Sequence, residues 1–243
     1  MKTTLLEMVQ SILNDMDSEA VNSLSDSVEA QQIASVIEDT YYNIISNRDI
    51  PEHKRLINLT SLSDSTRPTH FKYPTNTKQL DEIRYNITTG GTVEYKVMPF
   101  IEPLLFLDRQ VTDDGSTVQV PDVNNSTTLL IFSDRSPTFY TSFDDEHIVF
   151  NAYNSSVENI LQASKTMAYG TVYPTFSIVD AFEPDLDDNM MPYLLAESKS
   201  TCFSLFKSGS DPKVEQAARR LKSYVQNDMY RTKQANKRPK YGR

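Results

Sequence analysis

The densest group of potential ligands and acid–base side chains in the chain is Asp144-Asp145-Glu146-His147. An imidazole beside three carboxylates has the donor set for a hard cation or a proton relay. Ligands adjacent in sequence rarely converge on one metal, however, and the flanking runs Phe139–Phe143 and Ile148–Phe150 have strand-like composition, so the four residues read as a polar hairpin turn. Asp185-Leu186-Asp187-Asp188-Asn189 begins like a calcium loop but lacks the central glycine and the closing glutamate. Its carboxylates suit a helix start, where the dipole favours negative charge. Cys202, the single cysteine, falls on an apolar helical stripe with Leu195, Phe203 and Leu205 nearby, which predicts a buried and inert thiol. His53 and His70 stand isolated and read as structural. Six glycines (Gly90, Gly91, Gly115, Gly170, Gly209 and Gly242) form neither a phosphate loop nor a dinucleotide fingerprint, and no Gly-x-Ser-x-Gly elbow is present. These residues predict no catalytic centre, no cofactor and no metal, and so no enzyme.

What remains is charge. The chain carries a net −9, yet residues 207–243 hold eleven Lys or Arg against three Asp or Glu, a net +8, leaving −17 on residues 1–206. An acidic body with a basic end predicts two different neighbours. The terminal Lys233-Gln234-Ala235-Asn236-Lys237-Arg238-Pro239-Lys240-Tyr241-Gly242-Arg243 has three readings: phosphate contact with Tyr241 stacking on bases, an arm that orders in a groove of an acidic protein, or a solvated terminus. With a lone cysteine, no apolar run approaching about 18 residues and no signal-like h-region, the sequence predicts a chain made and assembled in a reducing cytoplasm, without membrane contact.

The elements that carry these residues follow from periodicity. Thr4-Leu5-Leu6-Glu7 has capping-box spacing, and Leu5, Val9, Ile12 and Met16 recur on one helical face. Ser25-Asp26-Ser27 is N-cap chemistry for a second helix bearing Ile33, Val36, Ile37, Thr40, Tyr41 and Ile44, expected to stop near Asn47. From residue 53 the pattern changes to short β-branched and aromatic runs at 56–59, 71–73, 83–87, 93–97, 128–132, 138–143 and 148–153, with Thr89-Gly90-Gly91 as a hairpin turn and Pro103–Gln110 as a short helix. Ile160, Leu161, Ser164 and Met167 suggest a short helix and Thr175–Val179 a strand. Two late helices follow: one with Met191, Leu194, Leu195, Ser198, Cys202 and Leu205, closed by Gly209, and one started by Asp211-Pro212 with Val214, Ala217, Ala218, Leu221 and Val225. The expectation is an α+β protein: an antiparallel helical bundle made of residues 1–50 and 156–231, an inserted antiparallel β domain at 51–155, and an extended basic arm at 232–243.

In this setting several segments are similar to one family. Pro137-Thr138-Phe139-Tyr140-Thr141-Ser142-Phe143-Asp144-Asp145-Glu146-His147-Ile148-Val149-Phe150 resembles a segment of the head-to-tail adaptors of short-tailed bacteriophages (tail tubular protein A-like, head completion proteins), with Phe139 where the family often has Tyr and Tyr140 where it often has Trp. Leu194 to Phe203 looks like the family's late helix. Leu5 to Asn14 with Val21-Asn22-Ser23, then Asp39 to Ile45, resembles its N-terminal helical pair, and Glu215 to Arg220 with Lys240-Tyr241-Gly242-Arg243 its last helix and tail. The likeness spans nearly the whole chain. It implies a non-enzymatic virion protein of the neck, forming a dodecameric ring with itself under the portal protein. Such a ring completes the packaged head and offers a platform to the tail nozzle (tail tubular B-like) protein and the fibres. DNA passes through its channel unrecognised, and the acidic body suits such a conduit, because a basic lumen would retain phosphates. The residues implied for portal docking are Lys233, Lys237, Arg238, Lys240, Tyr241 and Arg243, with Arg219, Arg220 and Lys222 as ring or portal contacts. The alternative is an accessory virion protein that binds DNA through the basic tail.

Overall fold

The computed structural model describes residues 3–46, 50–88, 91–110, 115–124, 127–207 and 212–237, with side chains of the last helix described as far as residue 227. The chain is α+β with antiparallel strand pairing throughout its named sheets. It divides into two compact units: residues 1–52 with 174–243, and residues 53–173.

The first unit is helical. α1 (Leu5–Asp15) starts as the capping box requires: the Thr4 hydroxyl accepts from the Glu7 N–H at 3.3 Å, and the Glu7 carboxylate accepts from the Thr4 N–H at 3.0 Å. α2 (Val28–Ser46) is capped by Ser27, whose Oγ accepts from the Ala30 N–H at 3.0 Å. Leu5, Val9 and Ile12 of α1 and Ile33, Ile37, Tyr41 and Ile44 of α2 are buried in one core with Leu194, Cys202 and Phe203 of α4 (Met191–Phe206). α5 (Pro212–Lys237) lies on α4 through Ala218, Leu221 and Val225, while Ala217, expected on the same stripe, is exposed. Leu205, also expected inside, is 62% exposed, and Phe203 takes the inward position.

Two expectations in this unit need correction. Thr175–Val179 is not a strand. Phe176 packs on Tyr41 and Phe182, the Phe176 N–H donates to the Tyr42 hydroxyl at 3.1 Å, and the Leu5 N–H donates to Phe182 O at 2.8 Å, so the segment is held by ring contacts and single bonds rather than by a ladder. The arm expected from residue 232 is helical over its first half, because α5 continues to Lys237: Thr232 to Lys237 contain no Pro or Gly to stop it. Arg238–Arg243 lie outside the described residues.

The second unit is a set of sheets around Phe71, Ile83, Tyr85, Phe106, Ile131, Ile148 and Phe150. β1 (Lys54–Ile57), β10 (Thr166–Val172), β4 (Thr77–Asn86) and β5 (Tyr95–Met98) form one sheet in that order. β2 (Thr60–Ser61), β3 (His70–Lys72), β9 (His147–Phe150) and β8 (Tyr140–Thr141) form a second, and β6 (Thr117–Pro121) pairs with β7 (Thr128–Phe132). The short helix α3 (Pro103–Asp108) adds Phe106 to the core. The unit ends at Tyr173 rather than 155, because β10 is an interior strand of the first sheet and cannot be separated from it. The helix expected across Ile160–Met167 is a single 3-10 turn at Ala163–Lys165 that runs straight into β10. Gly170 is required in that strand. A Cβ there would lie 2.3 Å from Gln79 O and 3.0 Å from Leu80 Cα, at the point where the β10–β4 register slips by one residue past Asp81.

Candidate functional site

The turn predicted at Asp144–His147 forms between β8 and β9, with Asp145 in the left-handed region at φ 58°. The Asp144 carboxylate organises it. Oδ1 accepts from the N–H groups of Glu146 (3.0 Å) and His147 (2.8 Å), while Oδ2 meets His147 Nδ1 (2.7 Å) and the Asn124 side-chain amide. Partial burial opposes ionisation, but these bonds outweigh it and hold the carboxyl below its ordinary range. Ligand atoms of Asp144, Glu146 and His147 come within 4.8 Å of one another, so the cluster has metal-like spacing. A carboxylate offers about four acceptor positions, and all of Asp144's are occupied. The geometry closes a turn. It leaves Asp144 no lone pair for a cation.

His70 is not isolated. In the β3–β9 register it faces Val149, two residues from His147, so both imidazoles lie on one face of that sheet. His70 is 1% exposed, and its Nε2 is buried without a hydrogen-bond partner. Burial, with Arg67 and His147 adding to it and Asp122 and Asp144 opposing, depresses its pKa to about 4. Arg67 is itself held by the carbonyls of Pro121 (3.1 Å) and Asp122 (3.3 Å) and by Asp64 (2.9 Å). The other His70 nitrogen, Nδ1, meets only the buried hydroxyl of Thr69 at 3.5 Å, a long contact to a side chain that is itself fully buried, so His70 is a structural residue here. Burial pushes the Cys202 thiol up to about 12, which removes it as a nucleophile.

Asp185–Asn189 does not form a calcium loop. Asp187 O accepts from the Met190 and Met191 N–H groups, and Asn189 donates to the Asp187 carboxylate at 3.1 Å, a turn ahead of α4 rather than an N-cap on it.

Arg219, Arg220 and Lys222 are exposed on α5, with Lys222 one turn from the buried Ala218 and Val225 and Arg220 on the far side of the helix, one turn from Tyr224, which is 69% exposed. Arg219 pairs with Glu215 one turn earlier. Lys233 and Lys237 fall within α5 with side chains outside the described residues, and Arg238, Lys240, Tyr241 and Arg243 lie outside altogether.

One feature was missed by sequence reasoning. A groove of about 740 Å³ in the β unit is lined by the β4 residues Thr77 to Glu82, by Val97 to Phe100, and by Tyr73, Tyr140, Ser142, Asp145 and Ile148. Tyr140 is 8% exposed, and its hydroxyl has no hydrogen-bond partner among the described residues; burial raises its pKa to about 12. Thr77 Oγ1 is likewise buried and unbonded. Neither residue has a motif around it, so no pattern in the sequence could have drawn attention to them.

No protein-family model matches this chain, and no curated protein is significantly similar to it. Among the described residues no helix is long and apolar enough to cross a membrane.

Proposed function

We propose that this chain is a structural virion protein, the head-to-tail adaptor of a short-tailed phage. It acts without catalysis, metal or cofactor. The observation that carries the reading is the polarity of the chain: +8 over residues 207–243 against −17 elsewhere, with Arg219, Arg220 and Lys222 all exposed on α5. A charged helix leading into a basic terminal segment is suited to docking on a partner of opposite charge. The insertion of a β unit between helices from both chain ends agrees with the family pattern that the segments around residues 5–45, 137–150, 194–203 and 215–243 resemble. The saturated Asp144 turn and the inert Cys202 agree with a non-enzymatic role.

In this reading the helices form an antiparallel bundle, and copies join as a dodecameric ring beneath the portal protein. Arg219, Arg220 and Lys222 make ring or portal contacts. Lys233, Lys237, Arg238, Lys240, Tyr241 and Arg243 form an arm that docks on the portal. The ring completes the packaged head, receives the tail nozzle and fibres, and passes DNA without recognising it. The chain then resides in the neck of the virion after assembly in the host cytoplasm. The second reading, a DNA-binding accessory protein, uses the same basic arm. Sedimentation with portal rings and, separately, with duplex DNA tests both. The full chain is expected to join portals in a ring-sized complex, and deletion of 232–243 to leave a folded protein that does not join. Normal portal binding by the truncated protein removes the docking role, and a shift with DNA alone replaces the first reading with the second.

A further inference from the structure

Over residues 212–227, α5 buries only Ala218 and Val225, and Val214, Glu215 and Leu221 are half-buried beside them. On the exposed side Lys213, Ala217, Arg220, Tyr224 and Asn227 follow one another at spacings of four, three, four and three residues. That repeat brings side chains onto one narrow seam of a helix. All five are exposed, and among the described residues Arg220 has no ion-pair partner and Tyr224 no hydrogen bond or ring contact. Glu215, the one carboxylate in residues 212–227, lies across the helix from the seam and is taken by Arg219. The seam is therefore positive at Lys213 and Arg220 with no acid to neutralise it, small at Ala217 and aromatic at Tyr224. A small residue lets a second helix approach closely, and Arg and Tyr are the side chains that most often anchor a protein contact. A second α5 does not fit, because its cations would meet cations.

We propose that this seam docks an acidic helix of a partner protein, with Arg220 and Tyr224 as its anchors. Arg220 pairs with a carboxylate of that helix, in the forked geometry a guanidinium allows. Tyr224 packs its ring one turn along, and Ala217 marks where the two helices come closest. The proposal rests on the adaptor reading, under which the acidic helix belongs to the portal protein. It divides the three basic residues assigned to ring or portal contacts: Arg220 lies on the seam, while Arg219 and Lys222 lie off it. It also places a docking site on the folded helix, separate from the arm at 232–243.

The test titrates the full-length chain into portal rings of its own phage, with incorporation read by sedimentation. Arg220→Ala and Tyr224→Ala should each raise the concentration for half-maximal incorporation about tenfold or more. Arg220→Lys keeps the charge but not the fork and should recover only part of the loss. Ala217→Gln adds bulk to the seam while keeping a good helix former, and should weaken joining by a similar factor. Ser223→Gln, Arg219→Ala and Lys222→Ala, off the seam, should stay within about threefold. Every substituted position is exposed, and unchanged thermal unfolding of the variants separates lost docking from a lost fold. If the parent joins portals and the seam variants join equally well, the seam is overturned and the adaptor reading stands. Equal losses in Arg219→Ala, Arg220→Ala and Lys222→Ala, with Ala217→Gln and Tyr224→Ala neutral, also overturn it, since that is general attraction of a basic helix to an acidic surface. A parent chain that ignores portals and shifts duplex DNA overturns both the seam and the reading beneath it.

Discussion

Acidification should destabilise the β unit between about pH 6.5 and 5, ahead of the carboxylates, and His70 is the reason. The imidazole is 1% exposed, its Nε2 has no partner, and its pKa stands at about 4 against an ordinary 6.5. Because the folded value is the lower one, the unfolded chain takes up the proton first as pH falls. The stability that a neutral His70 contributes is complete above 6.5 and is lost progressively toward 4. Each unit of pH in that window costs about 1.4 kcal/mol, so moving from pH 7.5 to 5 should remove about 2 kcal/mol, and reaching pH 4 about 3 kcal/mol. The groups facing His70 do not cancel this: Asp122 and Asp144 favour the charged form, Arg67 and His147 oppose it, and burial is the largest influence. Asp144, held low by the hydrogen bonds of its turn, adds its own loss only as pH falls below its ordinary 3.8. Urea unfolding at pH 7.5, 6 and 5 would measure the slope, with His70→Leu as the comparison. Leu fills the same buried site and leaves no unpaired nitrogen, so the variant should match the parent near neutrality and exceed it by about 2 kcal/mol at pH 5. With only three histidines in the chain, NMR titration assigns the event directly. A His70 resonance titrating near 6.5, or parallel losses in parent and variant, would refute the reasoning.

Two substitutions test the rest of the β unit. Gly170→Ala places a Cβ against the backbone of Gln79 and Leu80, neither of which is a side-chain end that can swing away, and should cost about 1–3 kcal/mol or more; an unchanged melting temperature would mean that the β4 backbone yields freely to the added methyl. Tyr85→Phe removes a hydroxyl that donates to Glu158 at 2.6 Å and accepts from the Gln162 N–H at 3.1 Å, and should cost about 1–3 kcal/mol, measured by denaturant midpoint at neutral pH.

The helical unit was legible because its signals are local. Thr4 and Glu7, Ser27, and the apolar stripes of α1 and α2 each specify a helix end or face within a few residues, and each lies where its spacing placed it. The β unit was legible in kind but not in extent. β10 (Thr-Met-Ala-Tyr-Gly-Thr-Val) has a small or flexible residue at most inner positions, and its membership depends on pairing with strands more than eighty residues away, which no window of sequence contains. For the same reason Thr175–Val179, with a better strand composition, forms none: no edge is offered to it. The acidic turn was recognised from its flanks, yet its closure by Asn124, twenty residues upstream, was not. His70 was read as structural, which is where the fold leaves it, but its unpaired nitrogen and its sharing of a face with His147 depend on the β3–β9 register alone.

The two proposed roles of the basic end, assembly and nucleic-acid binding, call for different charge patterns along it. At physiological salt the field of exposed charges is screened within about 8 Å, so the net −17 of residues 1–206 does not by itself suppress DNA contact elsewhere on the chain. Repulsion by the body is therefore no argument against DNA. The argument lies in the disposition of the described basic residues. Arg219 is already engaged with Glu215 on its own helix, and its neighbours on the exposed side include Tyr224 and the uncharged Ser223, Gln226 and Asn227. A phosphate-tracking surface gains from dense, unpaired cations, each releasing counterions; a protein-docking helix gains from spaced cations interleaved with an aromatic and amides that can pair with defined groups. Over residues 212–227, α5 has the second composition. This composition supports the protein-docking reading proposed above.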